Sequence, residues 1–155
     1  AAAAEGNSVG GVVECTISGI KEPLGEPFFD SVESVMAHLL FSIPAVKGVE
    51  FGDGFAGARK RGSARNDAIV DASGATLSNN EGGINGGIAN GNDIVVRVAI
   101  KPTPSISIVQ HTYDFEHGFS PLLIGGRHDS CIARRAQVVV EAMAAVALAD
   151  LKLQL

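Results

Sequence analysis

Tryptophan is absent from this chain, tyrosine occurs once and cysteine twice among 155 residues. With so few large rings, aliphatic side chains must do most of the packing, and they dominate the 46% apolar content. Cys15 and Cys131 lie far apart, each in an apolar stretch, so neither a disulfide framework nor a zinc cluster follows. Two buried free thiols in a reducing compartment are expected. Positive charge is also in short supply. Twelve Lys and Arg against seventeen Asp and Glu leave a net charge of −5, which excludes the continuous basic face that a nucleic-acid groove needs. No uninterrupted apolar run reaches the roughly 20 residues of a membrane-spanning helix, and no charged leader opens the chain. The expected setting is cytoplasmic, with no membrane and no nucleic-acid partner.

Glycine and asparagine, by contrast, are concentrated. Ten of the fourteen residues from Asn79 to Asn92 are one or the other. Ordering glycine costs more entropy than ordering any other residue, so the run NNEGGINGGIANGND needs a reason. Left-handed turns are one; a main chain lying flat against a ligand is the other. Alone, the run reads equally as a flexible surface loop or as a ligand cradle. It is not the GxGxxG of a dinucleotide fold, and no GK[ST] of a P-loop is present.

The remaining chain divides by periodicity. Ser8–Ile20 reads as a strand, and Lys21–Pro27 as a turn. Phe28, Val32, Val35, Met36, Leu39, Leu40 and Ile43 recur at helical spacing until Pro44 stops them. A strand over Val46–Phe55 follows, then a long loop over 56–93 with little pattern. Ile94–Ile100 and Ile106–Phe115 read as strands, and Gly118–Arg127 as a connector. A final helix is expected from about Ser130 to Leu153, capped by Asp129 or Ser130. Only Glu141 is charged between Val138 and Ala149, so this helix is expected to be surrounded by protein. The order of elements fits an α+β layered fold, with antiparallel strands on buried helices, better than a doubly wound sheet. Ala1–Ala4 is read as a scar or as unassigned residues, and 5–155 as the domain.

Three groups of residues could carry chemistry. Lys101-Pro102-Thr103-Pro104-Ser105 places two hydroxyls beside an ammonium on a stiff turn, although most Pro-rich turns only turn. In Gly126-Arg127-His128-Asp129, Arg127 can grip a carboxylate or phosphate on two nitrogens, while Asp129 is either a cap or an acid–base group. Arg59, Lys60, Arg61 and Arg65 are either a solvated loop or an attraction for an anion. No metal site is expected, since His111, Asp114 and His117 would split between the faces of a strand.

Taken together, GNSVGGVVECTISGI, GEPFFDSV, SIPAVKGVEFGDGF, NNEGGINGGIANGND, IKPTPSI and GRHDSCIARRAQVVVEAM resemble the second half of chorismate synthase, in that family's order, over essentially Glu5–Lys152. The resemblance implies a β-α-β sandwich, a homotetramer, and conversion of 5-enolpyruvylshikimate 3-phosphate to chorismate. That reaction is a 1,4-anti elimination of phosphate that requires reduced FMN, with NADPH or an external reductase as the implied reductant. It also implies FMN contacts at Pro44, Ala45, Gly86, Lys101, Pro102, Thr103, Pro104, Ser105 and Arg127, converging on one pocket, and a proton-handling role for Asp129. The family's other half, with its Ser-His-Gly motif, both catalytic histidines and most arginines for the substrate phosphate, has no counterpart here. Ser63-Ala64-Arg65 mimics one of its motifs by chance. The resemblance thus implies a C-terminal fragment that is inactive alone. The alternative is a non-catalytic module for flavin or phosphate binding, or for oligomerisation.

Overall fold

A computed structural model describes residues 2–155 of the chain. Its centre is a three-stranded antiparallel sheet made by β1 (Gly11–Ile17), β2 (Val46–Phe51) and β5 (Ile94–Ile100), with β5 in the middle. The aliphatics of β5 are not equivalent. Ile94, Val96, Val98 and Ile100 are buried, while Val95, Arg97 and Ala99 are only partly covered. The period-two alternation of a strand assigns one face to the core. Opposite them on β1 stand Ile17, Cys15, Val13 and Gly11 in register.

Helices α1 (Val32–Ser42) and α4 (Ala133–Leu153) pack against each other and against β2 and β1. The expected α+β layering of antiparallel strands on helices is present. In α1, Val32, Met36 and Leu40 are fully buried at four-residue spacing. Ser31 caps this helix by accepting the Ser34 amide at 3.0 Å. That cap overturns the expected start at Phe28. Phe28–Asp30 form a separate 3-10 turn, and Phe28 and Phe29 are 85% and 90% exposed.

Helix α4 departs further from expectation. It begins at Ala133, three residues late, with Ile132 at the N-cap position and no side-chain cap. Asp129 instead accepts the Cys131 amide at 3.3 Å, ahead of the helix. Val140, Ala144, Ala147 and Leu151 form the buried stripe. Val138, Val139 and Val146 are exposed. Among the described residues the main contacts of this helix are with α1 and β1, and its opposite side is exposed, contrary to the expected enclosure.

The expected structureless stretch between β2 and β5 is instead built from short pieces: α2 (Gly54–Gly57), α3 (Gly62–Arg65), β3 (Ile84–Asn85) and β4 (Ile88–Ala89). Strands β3 and β4 form a hairpin whose two-residue turn is Gly86-Gly87. Both glycines have positive φ, 59° and 89°, as a type I′ turn demands. A second hairpin pairs β6 (Gln110–Asp114) with β7 (Gly118–Leu122). The strand expected over Ile106–Phe115 is shorter, and the expected connector contains its partner. The expected separation of Asp114 from His117 also fails, since the turn lets Asp114 accept two main-chain amides and meet the His117 ring at 3.0 Å. Tyr113, Phe115 and Phe119 are largely exposed on this hairpin.

Both thiols are free and half-buried. Burial, then the nearby Glu141 carboxylate, pushes the Cys15 thiol above its usual range, as expected of an unreactive cysteine.

Leu40 is completely buried between the helices and the sheet. Leu40→Ala is expected to cost about 3 kcal/mol of unfolding free energy, measured by urea denaturation. A loss under about 1 kcal/mol, within surface-substitution range, would show that this interface is not closely packed.

Candidate functional site

Three separated segments are stitched together at one end of the sheet. The Lys101 amide donates to the Ala45 carbonyl at 2.9 Å, joining the turn after α1 to the end of β5. Ser8 Oγ donates to the Thr103 carbonyl at 2.6 Å. The Ser107 amide donates to the Gly6 carbonyl, and the Val9 amide to the Ser130 carbonyl, both at 2.9 Å. Residues 6–10 therefore lie as a strap across both the Lys101–Ser105 turn and the Gly126–Ser130 segment. Gly10 is required by this crossing, because a Cβ there would strike the Ile100 carbonyl and the Pro102 ring.

The strap borders an open polar cleft of about 210 Å³, lined among others by Ser8, Ser105, Ser107, Arg127 and Asp129. Among the described residues, the Lys101 ammonium and the Arg127 guanidinium make neither an ion pair nor a hydrogen bond, and both side chains are exposed. The Thr103 hydroxyl oxygen is buried and has no partner. Two unengaged cations and one orphaned hydroxyl in a Pro-stiffened turn suit an anionic, oxygen-rich group.

Ala45 has φ +74°, a conformation costing a residue with a Cβ roughly 1–2 kcal/mol. It follows Pro44, and the Val46 amide closes the turn on the Ile43 carbonyl at 3.2 Å. This is a type II turn carrying alanine where glycine is favoured. Within this turn the strain falls on the residue that the Lys101 amide grips.

Gly86 does not join this group. The Val32 amide donates to the Gly87 carbonyl at 2.9 Å, which places the Gly86-Gly87 turn at the start of α1. Pro44 and Ala45 lie beyond its other end, so the eleven residues of α1 interpose about 16 Å of helix. A Cβ on Gly86 would meet nothing within 4 Å, so only its positive φ requires glycine within this chain. Within this chain Ser105, Arg127 and Asp129 line one cleft, Lys101 and Ala45 are joined at the neighbouring turn, and Gly86 lies apart from them.

Much of the Gly/Asn segment is structural. The Asp67 carboxylate accepts the Ser78 hydroxyl at 2.6 Å, the Asn80 amide at 2.9 Å and side chain at 2.8 Å, and the Glu81 amide at 2.9 Å. Partial burial pushes the Asp67 carboxyl up, but these donors outweigh it and hold the group below its ordinary range. Arg65 pairs with Glu81, and Lys60 with Asp53 and the Asn80 side chain. Two members of the basic cluster are thus committed to the fold, and Ser63-Ala64-Arg65 gains a structural role. Asp67, the strap 6–10 and Arg135, which lies 3.5 Å from Asp129, were not apparent from sequence. Each depends on residues brought together from afar.

Comparison with known proteins places this geometry. The family model described as chorismate synthase matches residues 1–153. The chorismate synthase of Chitinophaga pinensis is 58% identical over 99% of this chain, and that of Archaeoglobus fulgidus 54% identical over 94%. The chain spans 46% and 41% of their respective lengths, less than half of each. A crystal structure of chorismate synthase superposes with a TM-score of 0.78 at 35% identity, covering 99% of this chain and 40% of the other.

Two outcomes are expected. Ala45→Gly should raise stability by about 0.5–1 kcal/mol, the relief of the left-handed strain less the added unfolded-state entropy; a destabilisation in urea melts would contradict the strain. Because the folded Asp67 pKa is depressed, its contribution is present above the unfolded value of about 3.9 and disappears as pH falls through the folded value. Amide protection at Asn80 and Glu81 should drop below about pH 4, and Asp67→Asn should reproduce that drop at neutral pH. Unchanged protection in both would remove Asp67 as the organiser.

Proposed function

The chain belongs to the chorismate synthase family, and from that premise we propose that it is the C-terminal portion of an enzyme converting 5-enolpyruvylshikimate 3-phosphate to chorismate and phosphate. The reaction is a 1,4-anti elimination. Reduced FMN, when bound, supplies the electron density that lets the carbon–oxygen bond break without net redox change; NADPH or a separate reductase keeps it reduced. One observation carries the reading. Ser105, Arg127 and Asp129 line a single polar cavity, beside a turn whose lysine and threonine hydroxyl are unengaged.

Each residue then has a task its chemistry suits. Lys101 neutralises negative charge, and the Thr103 and Ser105 hydroxyls donate to oxygen acceptors, on a main chain held rigid by Pro102 and Pro104. Arg127 presents two nitrogens to an anionic group. Pro44 and Ala45 form one wall through the turn that the Lys101 amide fixes. Asp129, with one carboxylate oxygen held by the Cys131 amide, takes up the proton released when the substrate C–H bond breaks. Gly86 contributes its open main chain to a site completed by another copy of the protein.

This chain alone is not expected to turn over. The proton donors and most phosphate-binding arginines that the resemblance implies reside in the rest of the family's length. The bare side of α4 and the exposed aromatic residues of β6–β7 support the same view, as surfaces that the remaining polypeptide and further copies of a cytoplasmic homotetramer cover.

The test is flavin binding by fluorescence quenching, together with turnover, for this chain alone and after addition of the complementary half of a relative. Tight flavin binding and activity should require both halves, and Lys101→Ala or Arg127→Ala should each weaken binding at least about tenfold, a charge-assisted bond's worth. Full activity of the isolated chain would refute the fragment reading, and flavin binding indifferent to both substitutions would refute the site.

A further inference from the structure

On the α4 side of the Gly126–Ser130 segment lies a second cleft, of about 330 Å³, lined by Arg127, His128, Asp129, Ser130 and Arg135. Its lining carries two guanidiniums against one carboxylate, one net positive charge before His128 is counted. Among the described residues, the Arg135 side chain has Asp129 as its one ion-pair or hydrogen-bond partner, at 3.5 Å, and is 82% exposed. Such a contact lies at the edge of hydrogen-bonding distance and leaves most of the guanidinium donors unused. His128 turns Nε2 toward the Gly125 carbonyl at 3.0 Å.

We propose that this cleft binds a small oxyanion, a phosphate or carboxylate group, between Arg127 and Arg135, with Arg135 as the second arm of the clamp. The inference deepens the reading given above and shares Arg127 with it. Two planar forks approaching from a loop and from the first turns of a helix can each present paired donors to one anion. Asp129 lies between the arms and competes with the anion for Arg135. Its long contact yields to a charged ligand, and the ligand in turn frees the Asp129 carboxylate for proton transfer. The anion has two candidate sources, the phosphate of the flavin and the charged groups of the substrate.

The experiment titrates inorganic phosphate into this chain at low ionic strength and follows the amide NMR signals of residues 126–135. Saturable shifts confined to that segment are expected. Arg135→Gln should weaken phosphate binding by about tenfold, and Arg135→Lys, which keeps the charge but loses the fork, by roughly threefold. Arg134→Gln removes the same charge from the same helical turn, yet Arg134 is outside the cleft. It should change the affinity less than about twofold, the remainder being long-range screening. Unaltered affinity in Arg135→Gln, or an equal loss in Arg134→Gln, overturns the clamp. The exposure of Arg135 means that its variants should fold, which an unchanged amide spectrum elsewhere verifies. Pairing FMN with riboflavin and shikimate 3-phosphate with shikimate then identifies the source, because only the phosphorylated member of the relevant pair should respond to Arg135→Gln. Phosphate binding that depends on Arg135, with no flavin binding even after the complementary half of a relative is added, would keep the clamp and remove the flavin reading. Flavin binding indifferent to Arg135 would do the reverse.

Discussion

A single main-chain bond, from the Lys101 amide to the Ala45 carbonyl, determines how this end of the molecule is organised. It joins the residue that follows the central strand to the turn after α1. Ala45 can present its carbonyl there only by accepting a left-handed backbone. The two prolines on either side of Thr103 then allow the chain few other paths. The strap 6–10 crosses this turn and reaches Ser130, so the loop before α4 inherits its position from β5. Three segments from distant parts of the sequence thus share one frame, and among the described residues the Lys101 and Arg127 side chains on it make no ion pair or hydrogen bond.

The Gly/Asn segment has a different origin. Much of its order comes from one carboxylate, Asp67, which collects donors from Ser78, Asn80 and Glu81. Fully satisfied polar networks of this kind can specify a conformation without an apolar core. The glycines permit the tight approaches, and the carboxylate selects among the conformations they allow. A segment that reads as loose in one dimension is therefore a fitted piece in three.

How much was legible follows from which interactions are local. The helix from Val32 to Ser42, the strand from Ile94 to Ile100 and the helix ending at Leu153 carry their own periodicity and were readable. Pro44 as a stop and the Lys101–Ser105 turn were readable for the same reason. The start of α1 was misplaced because Phe28 continues the apolar spacing, whereas Ser31 supplies the cap. Asp129 looked like a cap by position but bonds to Cys131 first. The β6–β7 hairpin was half missed, since Pro121 argues against a strand unless it lies at an edge. Gly86 was assigned to the same pocket as Arg127 from family resemblance alone. Its place at the far end of α1 follows from the Val32–Gly87 bond, which joins residues 55 positions apart.

The β6–β7 hairpin has a consequence for handling the protein. It is a two-stranded ribbon, marginal by itself in water, with both outer backbone edges open and Tyr113, Phe115 and Phe119 wet. Open edges beside oily rings recruit extra strands from whatever lies nearby. At high concentration, and without its natural cover, this ribbon is where the chain would begin to precipitate. Solubility, more than folding, would then limit work on this chain.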